Sequence, residues 1–217
     1  AIQGIGTAGI VPAGMAAVAY YTGVQFGRFV GMMAAVQSIF TALGAPLGGM
    51  LEKPLGWRGS LGFVVIFMII ALCLSAIALP RSCQTDRNFV KWLEVVKNRV
   101  VCKGIFNTIA LASVYFGIIT YIPLLFSATY GISTSTVSFL LLPTFFGTAL
   151  GALIGGTHAE KKFFEIIIWI IISLGCVFCI TSSIVLISIG SALAAVGAGA
   201  GIARELVIIK NSALSNA

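Results

Sequence analysis

The run GSLGFVVIFMIIALCLSAIALP, residues 59–80, carries no charged side chain. A helix needs roughly 20 apolar residues to cross the hydrocarbon of a bilayer, and similar runs recur along the whole chain. Charges and Gly/Pro punctuation divide them into seven predicted spans, at 1–20, 28–51, 59–80, 104–128, 134–156, 163–184 and 186–209. The last two are parted only by the polar break Thr181-Ser182-Ser183. Composition agrees: 59% of the 217 residues are hydrophobic, 9% are charged, and the mean hydropathy is +1.09. A water-soluble domain carries about a quarter charged residues. The expected fold class is therefore all-α, a polytopic membrane protein with the lipid bilayer as its main solvent.

The net charge of +7 then reads as membrane orientation rather than nucleic-acid binding. Of 13 basic residues, eleven fall on one face: Arg28, Arg81, Arg87, Lys91, Lys97, Arg99, Lys103, Lys161, Lys162, Arg204 and Lys210. Only Lys53 and Arg58 fall on the other. The positive-inside rule places the eleven in the cytoplasm of a cell (plasma or inner) membrane. Ala1 opens the sequence inside an apolar run with no basic region before it, so no signal peptide is expected and the sequence is expected to begin within a membrane helix.

The segment RSCQTDRNFVKWLEVVKNRVVCKG, at 81–104, is the only long polar stretch. Phe89, Val90, Trp92, Leu93, Val95 and Val96 alternate with Lys91, Glu94, Lys97 and Asn98, as in a helix lying on the membrane surface. It divides the chain into three spans in 1–80, a cytoplasmic linker at 81–103 and four spans in 104–217.

Four glycine patterns interrupt the spans: QGIGTAGIVPAG at 3–14, GAPLGG at 44–49, the ladder Gly147, Gly151, Gly155, and VGAGAGIARE at 196–205. Glycine lets two helix backbones approach closely in a membrane, and proline removes a backbone hydrogen bond and kinks a helix. Plain helix packing accounts for the ladder. GAPLGG spends more helix stability than packing requires, which favours a functional role. Gly4-Ile5-Gly6 and Gly197-Ala198-Gly199 lie on spans of the same orientation on either side of the linker, as in transporters built from two related halves.

These residues resemble the major facilitator superfamily, and within it the branch of drug and small-molecule:proton antiporters. QGIGTAGIVPAG, with Gln3, Gly4 and Gly6, resembles the fourth-helix motif of that family, an arginine and two further residues followed by Q-G-x-G; that arginine would fall just before Ala1. TALGAPLGGML, with Gly44, Pro46, Gly48 and Gly49, resembles its fifth-helix antiporter motif, one residue shorter than the usual G-P-x-x-G-G. Gly56-Trp57-Arg58 is similar to the opening of its sixth helix, and GGTHAEKK at 155–162 to the second-half loop, without the usual Asp-Arg pair. The resemblance covers the chain as helices four to ten of twelve. It implies export of a small-molecule substrate by proton antiport, with the remaining helices of a parent transporter as partners and no cofactor beyond the proton gradient. It also implies that the kinked glycine-proline helix packs across the two halves and seals a leak path, with Trp57 and Arg58 anchoring the next helix at the outer interface. The shortened motif is similar to sugar- and nucleoside-efflux relatives as well, and uptake stays open.

Intramembrane charges are the best pointers to coupling. Arg204 and Glu205 follow VGAGAGIA inside the last apolar run. Either Glu205 carries a proton or Arg204 answers a substrate charge, or the span ends there and both face water; the last is the simpler expectation. Asn107, Tyr115, Tyr121 and Gln37 are candidates to line a cavity, and Pro123 in TYIPLL suits a gate near the outer end. Glu165 reads as a helix N-terminal charge and His158, beside Glu160 and Lys161, as a solvated loop residue. Cys176 and Cys179 have C-x-x-C spacing, but within LGCVFCIT they read as small apolar residues one turn apart. No nucleotide loop, metal cluster or nucleophile–base pair is legible, so no enzyme or metal site is expected. Two other readings compete: a seven-helix receptor or retinal protein, opposed by the lack of a mid-span lysine, and a non-transporting truncated remnant.

Overall fold

The computed structural model describes residues 10, 13–18, 21–22, 25–78 and 98–214. Gln3, Gly4 and Gly6, most of the first predicted span and the linker up to residue 97 lie outside the described residues. Among the described residues the chain is helical, with six long or medium elements: α1 (Phe26–Ala78), α2 (Arg99–Tyr130), α3 (Thr134–Leu140), α4 (Leu142–Thr157), α5 (Lys162–Cys179) and α6 (Ile184–Leu214). Five stretches are long and apolar enough to cross a membrane: Phe26–Gly48, Pro54–Ile77, Arg99–Tyr130, Thr136–Thr157 and Ile184–Ser212. Phe163–Cys179 is apolar but shorter.

Local chemistry sets the ends. Asn98 caps α2 by accepting the Val100 N–H at 2.9 Å, and Gly131, at φ 63°, closes it in the left-handed conformation that glycine tolerates. Pro143 at the start of α4 separates it from the short α3, so the predicted span at 134–156 is two helices in line. The predicted span at 163–184 stops earlier, at Cys179, and the polar Thr181–Ser183 break leads directly into α6.

Helical backbone continues through Pro46 and Pro54, and the one departure inside α1 is Gly56, at φ 63° and ψ 177°. This conformation is open essentially only to glycine. The break between the second and third predicted spans thus sits at Gly56, inside the interval 52–58 that separates them, and Pro46 does not interrupt the helix. It parts α1 into arms at 26–55 and 57–78. The second arm is apolar on every side and touches little else, as Phe63, Phe67 and Leu72 illustrate. Such a surface is stable against hydrocarbon, where exposed apolar side chains cost nothing.

α6 is the hub. It runs parallel to α4, and the glycine ladder places the two backbones in contact: a Cβ on Gly147 would meet the Ala192 carbonyl, on Gly151 that of Val196 and on Gly155 that of Ala200. The VGAGAGI stretch divides its glycines among neighbours. Gly197 faces Ile172 of α5, Gly199 faces Thr148 of α4, and Gly201 faces Leu111 of α2. The first arm of α1 lies antiparallel to α4, with Gly27 against Gly156 and Gly31 against Ala152. Buried clusters fill the remaining space, Phe26, Val30, Ala159 and Val207 at one end and Ile122, Phe126, Phe145 and Ile187 toward the other. The first of these ends also gathers Arg28, Arg99, Lys103, Lys161 and Lys210, whose ammonium stands 4.1 Å over the Phe26 ring.

Gly31→Leu is expected to destabilise the protein by about 1–3 kcal/mol through overpacking, read as a lower melting temperature in detergent. Gly44→Ala, at a position where a Cβ would meet nothing within 4 Å, is expected to leave it unchanged.

Candidate functional site

Arg204 and Glu205 do not face water. Helix α6 continues past them to Leu214, and they are 6% and 4% exposed. The simpler expectation, that the span ends at these charges, is therefore corrected. Two buried neighbouring charges in an apolar bundle need partners, and the fold supplies them from two other helices. Arg204 Nη1 donates to Glu205 Oε1 at 2.7 Å, and Arg204 Nη2 stands 3.5 Å from Glu165 Oε2 in the first turn of α5. Asn107 of α2 donates its Nδ2–H to the same Glu205 Oε1 at 2.8 Å. Lys103, one turn earlier on α2, lies 3.6 Å from Glu165 Oε1 with its side chain largely in the open. Gly104 makes this approach possible, because a Cβ there would sit 2.8 Å from Ile209 and 3.3 Å from Glu205 Oε2.

The result is a row of alternating charge, Lys103, Glu165, Arg204, Glu205, closed by the Asn107 amide. It grades from the open Lys103 to the sealed Glu205. Arg204 holds one carboxylate with each terminal nitrogen, so loss of charge on either glutamate frees one arm of the guanidinium. Its Nε has no hydrogen-bond partner among the described residues. A cavity of about 370 Å³ adjoins the row.

The other predicted residues scatter. Tyr115 is half-buried on α2 next to Thr148, and Tyr121 is 69% exposed on the outer surface of the same helix. Gln37 is exposed. Gly44, Leu47 and Gly48 line an apolar groove of about 630 Å³ between the two arms of α1, with Trp57 on the opposite wall. Pro46 is half-buried beside them, and Gly49 lies in the same helix. Neither Gly44 nor Gly48 touches another helix among the described residues. Arg58 sits over the Trp57 ring at 5.0 Å. His158 is exposed in its loop, against Phe164. Cys176 and Cys179 are free thiols, and no group of three or more metal-ligating side chains occurs among the described residues.

Sequence reasoning missed three features. Glu165 is a partner of Arg204 as well as a helix-start charge. Gly27, Gly31 and Gly156 form the contact between α1 and α4; the spacing Gly27-x-x-x-Gly31 was the available signal. Thr144 and Ser191, both buried, bond each other at 2.9 Å between α4 and α6. Nothing in one dimension pairs them.

Removing one member of a buried ion pair strands the other. Arg204→Met is expected to cost about 3–5 kcal/mol by leaving Glu205 unpaired, and Arg204→Met with Glu205→Met to recover most of it, measured by thermal melting.

The chain matches the sequence model of the Major Facilitator Superfamily over residues 1–216. It is also similar to Multidrug resistance protein 3 of Bacillus subtilis (strain 168), at 22% identity over 142 residues, 65% of this chain and 26% of that protein. The matched part thus spans about a quarter of the length of that relative. No solved structure matches the chain. A family model met over nearly every residue, by a chain whose described part is a bundle of membrane-length helices, shows that the chain belongs to the Major Facilitator Superfamily.

Proposed function

We propose that the chain works within a secondary transporter that exports small molecules in exchange for protons, by alternating access. The observation that carries this reading is the contact between α1 and α4, made by backbone at Gly27, Gly31, Ala152 and Gly156. The two helices come from either side of the polar segment at 81–97, so in a two-halved carrier this seam is where one half rocks against the other. A seam of small residues opens with little loss of interlocked side chains. The name of the Bacillus relative supports efflux. The gathering of basic residues at one end supports a cytoplasmic position for that end in the plasma or inner membrane.

In this mechanism Glu205 is the proton-carrying acid. Arg204 and Asn107 hold its carboxylate in place while it is charged. Protonation would release the Arg204 arm and change how tightly α2, α5 and α6 are tied at the basic end. The groove lined by Gly44 and Gly48, on the helix that also carries Pro46 and Gly49, is the seal on the outward path, closed when another helix packs into it.

Two substitutions test these roles by transport in everted vesicles loaded with a fluorescent lipophilic cation. Because a side chain at Gly48 meets open space, Gly48→Leu is expected to fold and insert normally but to lose export; export at the parental rate would refute the seal. Glu205→Gln keeps the shape and the hydrogen-bonding oxygen. It is expected to abolish the response of transport to an imposed proton gradient, and an unchanged response would remove Glu205 from the coupling path.

A further inference from the structure

The cavity beside the charge row has features that proton exchange at Glu205 does not use. Among the described residues its wall carries three cations, Arg99, Lys103 and Arg204, against two carboxylates, Glu165 and Glu205. Both carboxylates already hold partners within the row, while no ion pair to Arg99 occurs among the described residues. Among these described side chains one positive charge is therefore in excess. Arg204 adds a second, independent sign: it lines the cavity at 6% exposure, and its Nε–H is unsatisfied among the described residues. A buried donor without an acceptor is costly, and a ligand oxygen would remove that cost.

The fold aims a third positive element at the same place. Arg99, Val100 and Lys103 belong to the first turns of α2, so the cavity lies at the N-terminus of a 32-residue helix. Such an end carries a partial positive charge and favours anions. The cavity is also amphipathic: Val100, 48% exposed, and Ile208 contribute apolar rim beside the cations. At about 370 Å³ it falls within the roughly 300–1,000 Å³ of small-ligand sites.

We propose that this cavity is a binding site for a phosphate group, with Arg99 and Lys103 at its mouth and Arg204 Nε as its inner donor. The apolar rim favours the phosphodiester of an anionic membrane lipid, whose headgroups are held by basic pockets between membrane helices. A soluble phosphate shares the chemistry. Occupancy would draw Lys103 from Glu165 and brace α2 against α6.

The test is binding, on resting protein, so it stands apart from any transport assay. The purified protein is placed in nanodiscs of phosphatidylcholine with or without phosphatidylglycerol, and lipid retained after transfer to detergent is measured by native mass spectrometry. Phosphatidylglycerol is expected to be retained over phosphatidylcholine. Arg99→Gln with Lys103→Gln, both at open positions, is expected to weaken retention roughly 30-fold, about 1 kcal/mol for each cation lost. Glu165→Gln is expected to tighten it, and Lys161→Gln, outside the cavity, to leave it unchanged. Displacement of the lipid by inorganic phosphate, with a rise in melting temperature from phosphate alone, would support the site with a soluble ligand as its source. Equal retention of the two lipids, or equal weakening by Lys161→Gln and the double variant, would overturn the proposal.

Discussion

Helices in lipid gain nothing by hiding apolar side chains from their surroundings, which are equally apolar, and so cohere through close packing. In this bundle that contact is made by bare backbone. The α4 ladder of Gly147, Gly151 and Gly155 lies against the α6 carbonyls of Ala192, Val196 and Ala200, and the rest follows from that closeness. With α4 and α6 fixed side by side, α6 presents Gly197 to α5 and Gly201 to α2, and α1 finds its place on α4 through Gly27 and Gly31. A side chain at any of these positions would push a helix outward and carry its neighbours with it.

The charge row depends on the same geometry. Arg204 and Glu205 lie one turn beyond Gly201, so they are delivered to the place where α2 and α5 converge on α6. A guanidinium and a carboxylate in an apolar setting attract each other more strongly than in water, but only after both have lost their hydration. Glu165 and Asn107 offset that loss. The open Lys103 marks where the row meets the polar boundary, so screening by salt acts at that end and not at Glu205.

Much of the helical plan was legible in the sequence because lipid imposes a simple rule: long uncharged runs become helices. The polar break at Thr181–Ser183, the start of α2 just before Gly104, and the interruption ahead of Trp57 all follow from local residues. Partnerships were less legible. Glycine spacing marks a face on which a neighbour can approach, but not which neighbour. Gly27 and Gly31 are packed tight, whereas Gly44 and Gly48, in the more conspicuous GAPLGG, look into an open groove. The paired charges at Arg204 and Glu205 suggested the end of a span, since isolated charges are costly in lipid. The amide that answers them is 98 residues away, a distance across which no local pattern carries information.

The brevity of α5 has a consequence for the membrane itself. Its 18 residues rise by about 27 Å at 1.5 Å each, and Glu165 takes its first turn out of the apolar length. A typical hydrocarbon layer is about 30 Å thick. On this side of the bundle the lipid must pinch inward, or the flanking polar residues must reach outward, at a cost of fractions of a kcal/mol for each Å of mismatch. The longer α2 and α6 can tilt to suit a thicker layer, but the 18 residues of α5, packed against α6, cannot lengthen. Where α5 meets lipid, a thin membrane therefore suits it better than a thick one.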